Sequence, residues 1–383
     1  MRDILHRSDR VEVRRVGAND RAIRVVTFDS YHETPGTDRP GFGEAFFASE
    51  GVGAIHVLSH GNDWFHYAEM AQVAAIIRAA TVGADRLLAY GSSMGGYAAV
   101  RFAGAIGAQA VLALSPQYAV DPRLAPFETR WVQDRRRIRY LRAIDARIAH
   151  AAQTYVAYDP RLAVDRCHVD AIASEIPVER LALPHAGHPA GAFLAETGLL
   201  RPLVLDILAG RIDLAPFRAE ARARRTRSAT WLSEFAAAQP AVRRGCAVAL
   251  AQRAALLAPD HPAVLDRLAL RLRDAGDLEG AIAAHRRATM LAPIPDYQWG
   301  LSKTLFAAGR LAEALAVARS LQAAAPGVAG YHRWAAEISL AAGDRRGARA
   351  DLRAALARAP ANRGYRWDLV KLAAAMMLAP RRS

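Results

Sequence analysis

The chain has little cysteine and no long apolar run. Its two cysteines, Cys167 and Cys246, fall in different predicted domains, so no structural disulfide is expected and the reduced cytoplasm is the predicted location. No stretch approaches the roughly 20 apolar residues that span a bilayer. Residues 1–10 are rich in charge and lack the apolar core of a signal peptide. These features exclude a disulfide-stabilised scaffold and predict a chain without a membrane span.

Lysine is also nearly absent, although the chain is strongly basic. Of 51 lysine and arginine residues only Lys303 and Lys371 are lysine, and with 37 acidic residues the net charge is +14. Arginines cluster at residues 135–139 and 222–227, but no aromatic platform for stacking bases and no nucleic-acid-binding motif accompanies them. Nucleic acid is therefore not the predicted partner. Contact with an anionic substrate or a membrane surface stays open.

Residues 1–212 alternate short β-rich runs with helical stretches. Several runs are almost continuously apolar, which is typical of parallel strands covered on both faces. Helices are predicted over residues 67–81 and 96–106. The alternation predicts a three-layer α/β domain with a mostly parallel sheet. The predicted strands span residues 10–16, 23–28, 53–59, 86–90, 109–114, 154–158 and 180–183.

Beyond residue 212 the strand signal ends, and alanine and leucine recur at helical spacing. We predict a linker over residues 213–228 and helical repeats over residues 229–383. Prolines recur at intervals of 34, 33 and 34 residues, a glycine precedes each of the last three by 17 residues, and an alanine follows each glycine by five. The recurring residues are Pro259, Pro293, Pro326, Pro360, Gly276, Gly309, Gly343, Ala281, Ala314 and Ala348.

This pattern resembles the tetratricopeptide repeat. Small residues let two antiparallel helices approach closely, glycine permits the turn between them, and proline ends the second helix. Three units cover residues 262–361, a degenerate one precedes them at 228–261, and a helix over residues 365–377 is predicted to cap the stack. An unrelated helical bundle is the alternative. The resemblance implies a concave surface for a protein, a peptide or another copy of the chain.

A serine between glycines follows one of the predicted strands. The strand over residues 86–90 runs into Gly91-Ser92-Ser93-Met94-Gly95, and a predicted helix comes next. Gly-x-Ser-x-Gly in a strand–turn–helix setting resembles the nucleophile elbow of the α/β-hydrolase superfamily, and the resemblance covers about residues 10–210. It implies an α/β-hydrolase-type domain with Ser93 as the nucleophile.

A serine hydroxyl needs a base and an acid that orients the base. In the superfamily the histidine follows the last strand, where His188 fits and His185 is the reserve candidate. The acid follows the preceding strand. Asp159 is the preferred residue there, and Asp165, which begins a helical stretch, is the alternative.

The resemblance also implies two amide donors for an oxyanion. One is the N–H of Met94, directly after the serine. The second is assigned to Asn62, because a His-Gly pair ending in Gly61 follows the strand over residues 53–59. Trp64 and Phe65 are candidate walls of the pocket, and ordinary core packing is the alternative for both.

These features together predict an esterase, thioesterase or related acyl hydrolase fused to a protein-interaction module. The predicted partners are an acyl ester or thioester and a protein or peptide on the repeats, with self-association as a further option. No metal or organic cofactor is implied. Two alternatives stay open: a protein-interaction scaffold whose N-terminal domain is catalytically inactive, and an acyltransferase on the same fold.

Overall fold

The computed structural model describes residues 2–17 and 23–377. By its internal contacts the chain divides into two compact units, residues 1–234 and residues 235–383. The N-terminal unit contains the strands, and the C-terminal unit is helical throughout its described part. No helix in the described ranges combines the length and apolar character needed to cross a membrane.

A single mixed sheet forms the centre of the N-terminal unit. Its strands are β1 (Arg2–Arg7), β2 (Val11–Val16), β3 (Ile23–Phe28), β4 (Gly53–Ser59), β5 (Leu88–Ser92), β6 (Ala110–Leu114), β7 (Gln153–Tyr158) and β8 (Glu179–Ala182). The eight strands lie in the order β1-β2-β4-β3-β5-β6-β7-β8. β2 pairs antiparallel with β1 and β4, and the pairs from β4 through β8 are all parallel.

The strands that could be predicted from the sequence are the apolar ones. All residues of β4, β5 and β6 are buried, on both sides of the pleat, which requires cover on both faces of the sheet. Each of the seven predicted runs coincides with a strand to within two residues. β1 was not predicted, because its polar sequence RDILHR has the exposure of an edge strand.

Helices of the N-terminal unit connect the strands and pack on the sheet. They are α1 (Glu44–Ser49), α2 (Met70–Ala80), α3 (Met94–Ile106), α4 (Val132–Arg137), α5 (Ala163–Ala173), α6 (Gly191–Glu196), α7 (Leu200–Leu208) and α8 (Leu214–Arg224). α3 packs against β3, β5 and β6, and α5 packs against β7. The residues predicted as a linker form α8 and a short 3-10 helix, and the unit extends to residue 234.

The C-terminal unit consists of helices joined in pairs by short turns. After α9 (Ala229–Ala237), which crosses the boundary between the units, come α10 (Arg244–Leu257), α11 (Pro262–Ala275), α12 (Leu278–Leu291), α13 (Pro295–Ala307), α14 (Leu311–Ala324), α15 (Ala329–Ala341), α16 (Arg345–Arg358) and α17 (Arg363–Met377). α11 packs on α12, α13 on α14, and α15 on α16. The predicted helical repeats are confirmed as an all-helical region of paired helices.

The repeat residues of the sequence have the expected structural roles. Gly276, Gly309 and Gly343 have φ values of 91°, 72° and 82° at the turns, a left-handed conformation that favours glycine. The alanine that follows each glycine by five residues is completely buried. Because alanine adds almost no bulk, the paired helices approach closely along these positions. The buried alanines therefore permit the close approach, and larger side chains such as Leu305 and Ile338 complete the buried contacts.

Candidate functional site

Ser93 lies at the sharp turn between β5 and α3. Its φ of 51° and ψ of −116° are rare for a residue with a side chain, so the surrounding backbone must hold it there. The amide of Ser93 donates to the carbonyl of Leu114 on β6 at 2.8 Å. The residue is 5% exposed. The turn thus presents one hydroxyl at the end of the sheet and buries most of the residue.

The glycines on either side of Ser93 are required by close backbone contacts. A Cβ on Gly91 would lie 2.2 Å from the carbonyl oxygen of Gly95. A Cβ on Gly95 would lie 2.2 Å from the carbonyl oxygen of Phe28 on β3. Both obstacles are main-chain atoms, which cannot rotate away. The Gly-x-Ser-x-Gly pattern is therefore explained by packing of the turn against β3 and α3.

His188 joins Ser93 to a buried carboxylate. The Nε2 atom of His188 lies 3.0 Å from Oγ of Ser93, and its Nδ1 atom lies 2.8 Å from Oδ2 of Asp165. Asp165 is in the first turn of α5, where a carboxylate interacts favourably with the helix dipole. A carboxylate on Nδ1 keeps the proton of the neutral imidazole there and leaves Nε2 to accept from the serine. The structure brings Ser93, His188 and Asp165 together.

Arg130 holds Asp165 within a larger buried network. Its guanidinium lies 2.8 Å from Oδ1 of Asp165 and also donates to both carboxylate oxygens of Glu128. Glu128 accepts from Nε2 of His168 at 2.9 Å, and Nδ1 of His168 accepts from the amide of Tyr118. Burial alone would raise the pKa of Glu128, but hydrogen bonds from His168 and Arg130 lower that pKa to about 2. Glu128 is therefore ionised, and Arg130 bridges two carboxylates.

Asp159, the preferred acid from the sequence, occupies a different position. Its carboxylate accepts from the amide of Arg161 at 2.9 Å and from the amide of Gly187 at 3.1 Å. It therefore orders the two loops that follow β7 and β8, and Asp165 takes the place beside His188. His185 packs edge-on against Trp231, with ring centroids 6.2 Å apart, and burial lowers its pKa.

A side chain from the loop after β6 also reaches Ser93. Nε2 of Gln117 donates to Oγ of Ser93 at 3.3 Å, and Oε1 of Gln117 accepts from Nε1 of Trp64 at 2.9 Å. The indole of Trp64 packs 5.1 Å from that of Trp131 and is fully buried. Gln117 and Arg130 could not be recognised from the sequence, because neither lies in a motif and only the fold brings them near the serine.

The residues assigned to an oxyanion site lie in two places. Met94 is the first residue of α3, directly after Ser93. The side chain of Asn62 accepts a hydrogen bond from the amide of His32 and donates one to the carbonyl of His32. The carbonyl of Gly61 accepts from Ser59 and Tyr67. These contacts order the loops around Asn62 and Gly61, and the assignment of the Asn62 backbone N–H to an oxyanion site stays a prediction.

A cavity of about 450 Å³ opens above Ser93 and His188. Its walls are mostly apolar, and they come from the loop after β3, from β5 and β6, and from the segments that begin α6 and α7. The lining residues include Ser30, Tyr31, Phe42, Tyr90, Trp131 and Leu200. Trp64 lies one layer behind, in contact with Tyr31 and Trp131, and Phe65 is fully buried against Phe28. The cavity has one polar end, at Ser93, and an apolar remainder.

This arrangement can polarise the hydroxyl of Ser93. A neutral His188 accepts the hydroxyl proton, and Asp165 stabilises the imidazolium that results. The same groups can also hydrogen-bond a polar atom of a bound ligand without any reaction. Side-chain geometry defines the site, and it does not by itself define an activity.

The C-terminal unit has a second candidate site on the first helices of its repeats. Equivalent positions on α13, α15 and α17 carry Trp299, Arg333 and Trp367, and four residues later they carry Lys303, Glu337 and Lys371. The ammonium of Lys303 lies 5.0 Å from the ring centroid of Trp299, and that of Lys371 lies 5.5 Å from the ring centroid of Trp367. We call these six residues the tryptophan–lysine face.

A cavity of about 460 Å³ adjoins this face between α15, α16 and α17. Ala336, Leu352 and Leu372 form its apolar part, and Arg333 and Lys371 are among its polar residues. Trp367 beside it is 59% exposed. The surface therefore combines an apolar recess, an exposed indole and charged groups of both signs, since Glu337 and Asp368 also line the cavity.

Solved structures of tetratricopeptide proteins are similar to part of this chain. No protein-family model and no curated protein matches the sequence. YrrB, described as a TPR protein with an unusual peptide-binding site, is 17% identical, covers 47% of this chain and 90% of its own, and has a TM-score of 0.36. TTC0263 from Thermus thermophilus is 21% identical over 48% of this chain and all of its own, with a TM-score of 0.33. MamA from Desulfovibrio magneticus RS-1 is 18% identical over 38% of this chain and 82% of its own, with a TM-score of 0.33.

One expectation from the sequence is contradicted by these comparisons. YrrB, TTC0263 and MamA are tetratricopeptide proteins and not hydrolases, and the prediction of an enzyme acting on ester or thioester bonds was wrong. It depended on the Gly-x-Ser-x-Gly motif, which specifies a turn and not a reaction. An α/β-hydrolase-type fold is not confirmed either. What the structure shows in the N-terminal unit is an eight-stranded mixed sheet with flanking helices.

Proposed function

We propose that this chain is a protein-interaction scaffold whose repeats bind an acidic, partly apolar segment of a partner protein on the tryptophan–lysine face. One observation carries the proposal. The only two lysines among 383 residues occupy equivalent positions 68 residues apart, each four residues after a tryptophan. In a chain that otherwise uses arginine, this repetition favours a shared role for the two ammonium groups.

The charges on this face leave the lysines available. Arg333 forms ion pairs with Glu337 at 3.5 Å and with Asp368 at 3.2 Å. Within the described residues neither Lys303 nor Lys371 has a carboxylate within ion-pair distance, and both side chains are exposed. An indole beneath each ammonium limits its motion, so less conformational entropy is lost when a carboxylate binds. The expected partner groups are therefore carboxylates.

The apolar recess beside Lys371 supplies the second part of the recognition. An aliphatic or aromatic side chain of the partner would fill the cavity between α15 and α17, next to Trp367. Tryptophan is strongly enriched among the residues that dominate binding energy at protein interfaces. Carboxylates that face the lysines would set the register, and the apolar contact would supply most of the affinity.

The test measures binding of synthetic peptides to the full chain. An array of decapeptides that alternate Asp or Glu with Leu or Phe is compared with the same peptides carrying Asn and Gln. We expect the acidic series to bind preferentially and to lose affinity as salt is raised. Substitution of both Lys303 and Lys371 by alanine should weaken the best binder about tenfold. Arg253→Ala, an exposed arginine on α10, is the matched control and should have no effect.

Two results would refute the proposed interaction. One is equal binding of the acidic and neutral series. The other is undiminished binding by the double lysine variant while Trp367→Ala also has no effect.

In this proposal the N-terminal unit is a binding or structural module. Ser93 and His188 form the polar end of its ligand cavity, Asp165 supports His188 from behind, and the amide of Met94 lies at the N-terminal end of α3. Equal rates of p-nitrophenyl acetate hydrolysis by wild type and by Ser93→Ala would support this role. A wild-type rate well above that of Ser93→Ala would overturn it.

A further inference from the structure

A second groove in the N-terminal unit lies outside the cavity at Ser93. It encloses about 800 Å³ between α2, α3 and the segment over residues 140–144. The part of the wall formed by α2 and α3 contains four alanines and two larger apolar side chains: Ala71, Ala74, Ala75, Ala105, Met70 and Phe102. Because alanine does not fill the space between neighbouring helices, the groove stays open. None of its lining residues lines the cavity at Ser93.

The charged side chains that line the groove are all positive. Arg78, Arg101 and Arg142 line it, and no carboxylate is among its lining residues. Arg101 is occupied, since it donates to the carbonyl of Tyr118 and stacks 4.7 Å over the ring of Tyr118. Arg78 and Arg142 are exposed, and their guanidinium groups have no ion pair or hydrogen bond in the described structure. Two guanidinium groups are thus available where the alanine surface meets solvent.

We propose that this groove binds a single-chain amphiphile with an anionic headgroup. The alkyl chain would lie on the alanines of α2 and α3, and the headgroup would accept hydrogen bonds from Arg78 and Arg142. A largely apolar recess of several hundred Å³ with a few polar groups at one place is the usual form of a small-molecule site. Guanidinium groups suit a carboxylate or phosphate, because their N–H groups match two oxygens at once.

Dodecanoate, kept below the concentration at which it forms micelles, is the probe. Isothermal titration of the full chain should show one saturable site. Arg78→Ala and Arg142→Ala should each weaken binding about three- to fivefold, and the double variant about tenfold or more. Ala75→Trp places a large ring in the groove and should abolish binding, whereas Ala75→Ser keeps the volume and should preserve it. Arg136→Ala, an exposed arginine on α4, should leave the affinity unchanged.

Further measurements distinguish this groove from the cavity at Ser93 and from a membrane-binding surface. Leu200→Trp narrows the cavity at Ser93 and should not alter binding of dodecanoate. Dodecyltrimethylammonium, which has the same chain and a positive headgroup, should bind far more weakly. Loss of dodecanoate binding in Leu200→Trp, equal binding of the cationic amphiphile, or full affinity in Ala75→Trp would each overturn the proposal. So would binding to vesicles of anionic phospholipid without binding of free dodecanoate.

Discussion

Glu128 gives the sharpest prediction, because a buried carboxylate with a strongly lowered pKa makes stability depend on pH. In the folded chain its pKa is about 2, compared with an ordinary value of 4.5. The carboxyl group is completely buried between His168 and Arg130. The difference in pKa corresponds to about 3 kcal/mol of stability when the group is ionised in both states.

The sign of the pH dependence follows from whether the folded or the unfolded chain is protonated first as the pH falls. Below pH 4.5 the unfolded chain becomes protonated at this position while the folded chain stays ionised, so unfolding becomes more favourable. The stabilisation is fully present above pH 4.5 and is lost as the pH falls toward 2. Between pH 6 and pH 3 the expected loss from this one residue is about 2 kcal/mol.

Glu128→Gln removes this titration and keeps the shape of the side chain. We expect the variant to be less stable than wild type at pH 6, because Arg130 loses a charged partner inside the protein. Between pH 6 and pH 3 it should lose about 2 kcal/mol less than wild type. Unfolding in urea is monitored by hydrogen exchange of the amides of β6 and β7. This measures the stability of the N-terminal unit separately from that of the repeats.

The matched control is Glu33→Gln, an exposed carboxylate in the same unit. Its pH dependence should equal that of wild type. The reasoning would be refuted if wild type and Glu128→Gln lose the same stability between pH 6 and pH 3. In that case the hydrogen bonds from His168 and Arg130 would not favour the ionised form.

Four further predictions concern packing and helix ends. Gly95→Ala should destabilise the N-terminal unit by about 3 kcal/mol or more, since its Cβ would meet a main-chain oxygen at 2.2 Å. By contrast Gly245→Ala, with open space around it in α10, should stabilise the repeats by about 0.5–1 kcal/mol; urea unfolding checks both. Asp277→Ala removes the side chain that accepts from the amide of Gly280 at 2.9 Å and should cost about 1 kcal/mol, seen as faster hydrogen exchange in α12. Ala281→Leu should overpack the α11–α12 contact and lower stability by about 1–3 kcal/mol, and an unchanged melting temperature would contradict the close approach of those helices.

The helical repeats illustrate how far a local pattern can determine structure. Turn glycines, buried alanines and helix-ending prolines act within about 34 residues of one another. Each repeat has the same local constraints, so a helix assigned to the wrong residues would interrupt the regular spacing of the repeats. That redundancy explains why helix positions follow from the sequence. The proposed binding surface does not follow in this way, because the lysines on α13 and α17 can form one face only when the helices stack.

The site at Ser93 shows what a local sequence pattern cannot determine. Its turn could be read from Gly91 and Gly95, because the steric demand acts within a few residues. Asp159 was preferred over Asp165 because it directly follows β7, but the loop and helix after β7 place Asp165 beside His188. The loop hydrogen bonds of Asp159 to the amides of Arg161 and Gly187 are contacts of the folded chain.

The sequence by itself determined the order and type of most strands and helices, the repeat period and the position of one sharply turned serine. These features depend on residue periodicity and on local steric limits. Tertiary structure alone decided that Asp165 meets His188, that Gln117 and Arg130 reach the same site, and that an alanine-lined groove stays open between α2 and α3. Those outcomes depend on which distant segments become neighbours, and the amino-acid pattern of any one segment does not contain that information.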